Sequence, residues 1–147
     1  MYKRQVEITA ADGLLENSGV VEVEGNWIRS GNGQFRGNPS GIGSRLVVFK
    51  NNDYNTLASQ RITGSMNGAN SFFNLDIDNT GDEGLVDMAG PVEVTNNLNF
   101  SNGRIRTDMM SSPSGDGNAY TFILEISNPN NNAITVSYTH LTLPTKA

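Results

Sequence analysis

Two segments of this chain repeat one another, and the length of the repeat limits the folds open to it. Gly13-Leu14-Leu15-Glu16-Asn17-Ser18-Gly19-Val20-Val21-Glu22-Val23 aligns without gaps on Gly84-Leu85-Val86-Asp87-Met88-Ala89-Gly90-Pro91-Val92-Glu93-Val94. Both glycines, the first leucine and the whole Val-Glu-Val recur. Residues 31–36 face 101–106 after a one-residue deletion, and Val6-Glu7-Ile8 faces Leu75-Asp76-Ile77, so residues 6–36 recur in 75–106. A period of about seventy residues is too long for one coil of a solenoid, but it suits two or three coils of about 20–30 residues each.

Short extended segments fill both copies. Residues 21–23, 45–49, 60–63, 73–78, 92–94, 98–100 and 121–126 mix β-branched and other apolar side chains, several with the period of two that a half-buried strand requires. In 73–78, Phe73, Leu75 and Ile77 are expected on one side, with Asn74, Asp76 and Asp78 on the other. Turns rich in Asn and Gly, such as Asn51-Asn52-Asp53 and Asn102-Gly103, separate the segments; both residue types tolerate the positive φ of tight turns. No segment has ten residues of helical periodicity. The expected class is therefore all-β. A right-handed parallel β-helix fits best, because each coil is too small to bury its own apolar residues and must stack on its neighbours. Such stacking also places like side chains in ladders, for which asparagine has precedent. The alternative is an antiparallel β-sandwich with turns every eight to twelve residues.

The two ends read differently from the middle. Residues 1–5 and the stretch from Val136 onward can both be back-translated to one DNA sequence read in opposite orientations, and that sequence resembles a sequencing-library adaptor. Residues 1–5 and 136–147 are accordingly expected to be adaptor-derived, with 6–135 a β-solenoid fragment whose exposed strand edges favour aggregation or fraying. The lone histidine, His140, falls in the excluded tail. Lys3, Arg4 and Lys146 fall in the excluded ends too, so 10 basic residues become 7 against 15 acidic ones, a net charge of −8. That acidity argues against a nucleic-acid partner. No apolar run is long enough for a membrane-spanning helix, and the absence of cysteine removes disulfides and thiolate metal sites.

The order of several segments resembles a known group. It comprises residues 25–35, 46–49, 60–64 and 72–79, then Val92-Glu93-Val94, 98–105 and 126–130. The succession is similar to the repeat region of large secreted or cell-surface proteins of Bacteroidota, many exported by the type IX secretion route. That resemblance implies a β-solenoid stalk or adhesin-like region at an extracellular or bacterial cell-surface location, with any sorting domain further towards the C-terminus. The expected function is a structural or adhesive spacer, whose partners would be extracellular glycans or surface proteins. Alternatives are a glycan-binding module and a polysaccharide-degrading β-helix enzyme.

Few residues offer specific chemistry. Asp76, Asp78, Thr80, Asp82 and Asp87 stand near the offsets of a calcium loop around Gly81. Threonine replaces the usual Asp or Asn, however, and Asp87 the usual bidentate Glu; the competing reading is an alternating strand whose acids face water. The glycines of 31–33 and 41–43 lack the following Gly-Lys-Ser/Thr of a phosphate cradle and read as turn residues. Trp27 and Tyr54 could stack on sugar rings, against the ordinary alternative of core or turn packing. For carbohydrate cleavage the candidates are Asp53, Asp108 and Asp116, with Arg45, Arg61, Arg104 and Arg106 for acidic sugars, but no spacing draws them together. No catalytic residue and no cofactor other than calcium is expected.

Overall fold

A computed structural model of the chain describes residues 2–3, 5–9, 13–51, 59–81, 84–109, 120–130 and 132–136. Its strands are β1 (Tyr2–Lys3), β2 (Val6–Ile8), β3 (Leu14–Glu16), β4 (Val20–Val23), β5 (Trp27–Arg29), β6 (Gln34–Arg36), β7 (Leu46–Asn51) and β8 (Ser59–Thr63). They continue with β9 (Phe72–Asn79), β10 (Leu85–Ala89), β11 (Val92–Asn102), β12 (Arg104–Arg106), β13 (Asp108–Met109), β14 (Tyr120–Thr121), β15 (Leu124–Ile126) and β16 (Ile134–Val136). The only helical turn among the described residues is a 3-10 turn at Gly68–Asn70.

Except for the small β13–β14 pair, every strand pair among the described residues is parallel. The chain is a parallel β-helix, not a sandwich. Face A carries β1, β4, β7, β9, the second half of β11 and β16, while face B carries β2, β5, β8, β10 and β12. Face C begins with β3 and β6, passes through the segment around Met66 and Asn70, and ends with the start of β11 and β15. β11 is long because it rounds the corner from face C to face A; its register against β9 shifts between Val94 and Asn97, where the bend falls. Along face A the column Tyr2, Glu22, Val48, Asp76, Asn99, Thr135 steps by 20, 26, 28, 23 and 36 residues. The described residues therefore complete five coils and open a sixth, a stack about 24 Å tall at the usual strand spacing.

The core runs up the axis and no coil owns it. Val21, Val47, Leu75 and Leu98 stack on face A, and Val6, Trp27, Ile62 and Met88 on face B, all buried. Trp27 lies at the centre. Its ring meets Phe35 edge-on at 4.9 Å and Phe72 at 5.1 Å between centroids, with Phe49 at 6.4 Å, and its Nε1–H points at Met66 Sδ at 3.3 Å. From its place on face B, Trp27 thus meets residues of faces A and C drawn from successive coils, so one side chain couples the layers. At the corner after face B, Gly64 adopts φ +95°, and a Cβ there would strike the carbonyl oxygen of Arg29 in the coil below. Only glycine lets the two backbones close to that separation.

One orientation differs from expectation. Leu75 and Ile77 point inward, but Phe72 is the buried phenylalanine and Phe73 turns outward beneath the Arg45 guanidinium, 3.9 Å from its ring centre. Phe72 opens β9 and pairs with Val94 ahead of the register shift at the corner, so the alternation slips by one residue before Leu75.

The sequence repeat does not superpose whole coils. β2 on face B corresponds to β9 on face A, β3 on face C to β10 on face B, β4 on face A to the start of β11 on face C, and β6 on face C to β12 on face B. Each corresponding strand lies eight strand positions further along a three-faced coil, which is two and two-thirds turns. The repeat encodes a run of strands and turns, indifferent to the face on which each strand lands.

Candidate functional site

Apart from a few exposed apolar side chains such as Ile42, Ile123 and Ile134, the described outer surface carries many polar groups bonded from coil to coil. On face A, Asp76 accepts from Asn99 Nδ2 at 3.0 Å and from the backbone N–H and Oγ–H of Ser101 at 3.2 and 2.9 Å, while Asp78 accepts from Asn102 Nδ2 at 2.7 Å. At the corner between faces C and A, asparagines stack over three coils. Asn96 Nδ2 donates to Asn74 Oδ1 at 2.6 Å, and Asn128 Nδ2 donates to the Asn96 carbonyl at 2.7 Å. The asparagine ladder expected of stacked coils thus forms at a corner, where the strand pairing is interrupted and amide side chains take over the bonding between coils.

Buried amides do the same at other corners. Gln60 is fully buried; it donates to the carbonyls of Val23 and Gly25 at 2.8 and 2.9 Å and accepts from Asn79 Nδ2 at 3.1 Å. Asn17 donates to the Leu46 carbonyl and accepts from the Gly19 N–H. A buried amide left unpaired would be costly, and no buried side-chain nitrogen or oxygen among the described residues lacks a partner.

The corner asparagines border an open polar groove. Asn96, Asn97, Asn128, Pro129, Asn130 and Asn132 line about 600 Å³ of this solvent-open groove where the fifth coil passes into the sixth. Asn97 Nδ2 holds one wall in place, donating to the Asn132 carbonyl at 2.7 Å and to Thr135 Oγ1 at 3.3 Å. Asn130 N–H closes the turn onto Asn128 Oδ1 at 3.0 Å. Sequence reading passed over this group. Its signal was two asparagine clusters, at 96–97 and 128–132, one coil apart.

The residues singled out from sequence fare differently. Trp27 is removed as a sugar platform: it has no exposed surface, and neighbouring side chains occupy its ring. Tyr54 lies outside the described residues, as do Asp53, Asp82 and Asp116. The described members of the calcium set do not share one cage. Asp76 and Asp78 bind the next coil on face A, Thr80 Oγ1–H donates to the Asn51 carbonyl at 3.3 Å, and Asp87 lies on face B. There Asp87 accepts from Arg106 Nε and Nη2 at 2.6 and 3.0 Å and from Ser59 Oγ at 2.9 Å. The chain runs on from β9 into a new face before reaching Asp87, which carries that carboxylate away from the other two. Among the described residues no three His, Cys, Asp or Glu side chains gather as metal ligands.

The arginines are also dispersed. Arg45 has φ +47°, the only non-glycine residue at positive φ among those described, and is pinned by Asn38 Oδ1 at 2.7 Å, the Gly43 carbonyl and the Phe73 ring. Arg61 and Arg104 are exposed on face B, Arg106 is committed to Asp87, and Asp108 begins the β13–β14 pair. Comparison with family models, with curated proteins and with solved structures finds no match.

Proposed function

We propose that this chain is a structural and adhesive spacer of a larger secreted or cell-surface repeat protein, of the type IX-exported kind that its segment order resembles. The observation that carries the reading is the continuity of the stack: one core passes through successive coils, and the outer polar groups are bonded mainly to the coil above or below. A body built this way gains length by adding coils without changing its cross-section. The surface that repeats up the stack can then make many weak contacts whose effect multiplies. No helix among the described residues is long and apolar enough to cross a membrane.

Pulling the chain by its two termini in an optical trap tests the spacer. Coils that depend on their neighbours should peel in steps of one coil, releasing about 7–13 nm of extended chain each at the usual reach per residue. Release of the whole chain in one event, with no intermediate step, would count against a stack of nearest-neighbour layers.

A further inference from the structure

The adhesive half of that reading leaves the contacted ligand unassigned, and the asparagine-lined groove narrows it. We propose that the groove formed by Asn96, Asn97, Asn128, Pro129, Asn130 and Asn132 binds a neutral carbohydrate, accommodating sugar units of a polysaccharide. The inference rests on the spacer reading only for where such a ligand would be met. Its volume, about 600 Å³, lies within the range of small-ligand sites.

The lining decides the ligand class. Five of the six residues are carboxamides and none is charged. Each carboxamide presents a donor and an acceptor in one plane, which matches neighbouring sugar hydroxyls that each donate and accept. An anionic sugar would find no arginine or lysine among the described lining residues to neutralise it. Among the described residues β15 and β16 pair only with β11, so their outer edges beside the groove are open to an added peptide strand. The apolar pockets that would select its side chains are missing, since among the described lining residues only Pro129 is apolar.

The groove is also preorganised. Asn128 Nδ2 is tied to the Asn96 carbonyl, and Asn97 Nδ2 to the Asn132 carbonyl, so both walls are fixed by bonds between coils. The side-chain amides of Asn130 and Asn132 and the Oδ1 of Asn97 make no bond among the described residues, and Asn130 and Asn132 are exposed. These are the groups available to a ligand. Little ordering cost remains for a sugar that meets them.

Titration calorimetry on the whole chain tests the proposal, with cellohexaose and mannohexaose as neutral probes, hexagalacturonate as the anionic one and an Asn-rich hexapeptide as competitor. At least one neutral hexasaccharide should bind with a Kd of about 1 mM or tighter. Replacing both Asn130 and Asn132 by Ala should weaken that binding about tenfold or more, the worth of one or two neutral hydrogen bonds. Both side chains lie outside the bonded scaffold, so the thermal melt should stay where it was. Arg61→Ala, on face B, should leave binding unchanged. The proposal is overturned if neither neutral hexasaccharide binds at millimolar concentration, if the double variant binds as well as the parent, or if hexagalacturonate or the peptide is preferred. Stepwise unravelling in the trap without sugar binding would remove the groove and leave the spacer standing.

Discussion

Glu16–Arg36 and Asp87–Arg106 occupy the same positions in the two copies of the sequence repeat, and each joins neighbouring coils. Their surroundings differ. Arg36 Nη1 meets Glu16 Oε1 at 3.0 Å with the two side chains 54% and 46% exposed. Arg106 grips Asp87 with two bonds, at 2.6 and 3.0 Å, and the Asp87 side chain is 3% exposed. The first pair lies on face C and the second on face B, where β13 packs beside β10 and Ser59 adds a third bond. One local pattern thus yields a solvated contact in one copy and a desolvated network in the other. The repeat specifies which residues meet; the rest of the coil decides what the meeting contributes.

The core that both copies share supplies the largest effect. Trp27→Ala removes the ring on which Phe35, Phe49 and Phe72 converge. A loss of about 3–5 kcal/mol in unfolding free energy is expected, read from urea denaturation. A loss below about 1 kcal/mol would mean that the layers are not coupled through this ring. Asp87→Ala comes next, at about 1–3 kcal/mol. The value sits below that for a fully buried pair because Arg106, 41% exposed, can turn its guanidinium to water. If Asp87→Ala costs no more than Glu16→Ala in the same denaturation series, burial has not separated the two copies.

Much of the fold was legible because its determinants are local. Val21-Glu22-Val23 and Leu46-Val47-Val48-Phe49 advertise strands by composition, and the near absence of helical periodicity removes the main competitor. The length of the repeat suggested two or three coils per copy, and the copies are offset by two and two-thirds turns, a fraction that length alone did not reveal. Which face each strand occupies was not legible, since that depends on loop lengths summed over whole coils, as the step of 36 residues before β16 shows. The slip at Phe72 and Phe73 was hidden for the same reason: a corner interrupts the period of two without altering composition. Trp27 carried no mark to distinguish a core ring from a surface platform, because its exposure is set by Phe35 and Phe72 arriving from other coils. The asparagine groove escaped notice because Asn96 and Asn128 meet only once the intervening coil is closed.

The smallest expected effect probes the comparison most closely. In a double-mutant cycle, Glu16→Ala and Arg36→Ala should show a coupling of about 0.2–1 kcal/mol, as exposed pairs do. The cycle on Asp87→Ala and Arg106→Ala should exceed it, since paired groups within one bonded network couple by about 0.5–3 kcal/mol. Salt then separates the causes. Raising NaCl to about 1 M shortens the screening length to about 3 Å, so the face C coupling should fall towards zero. The face B coupling should largely persist, because Asp87 is shielded from ions and its attachment is two aligned bonds plus that from Ser59. Equal salt sensitivity would show that Asp87 is as wet as Glu16, and burial would then not distinguish the two copies.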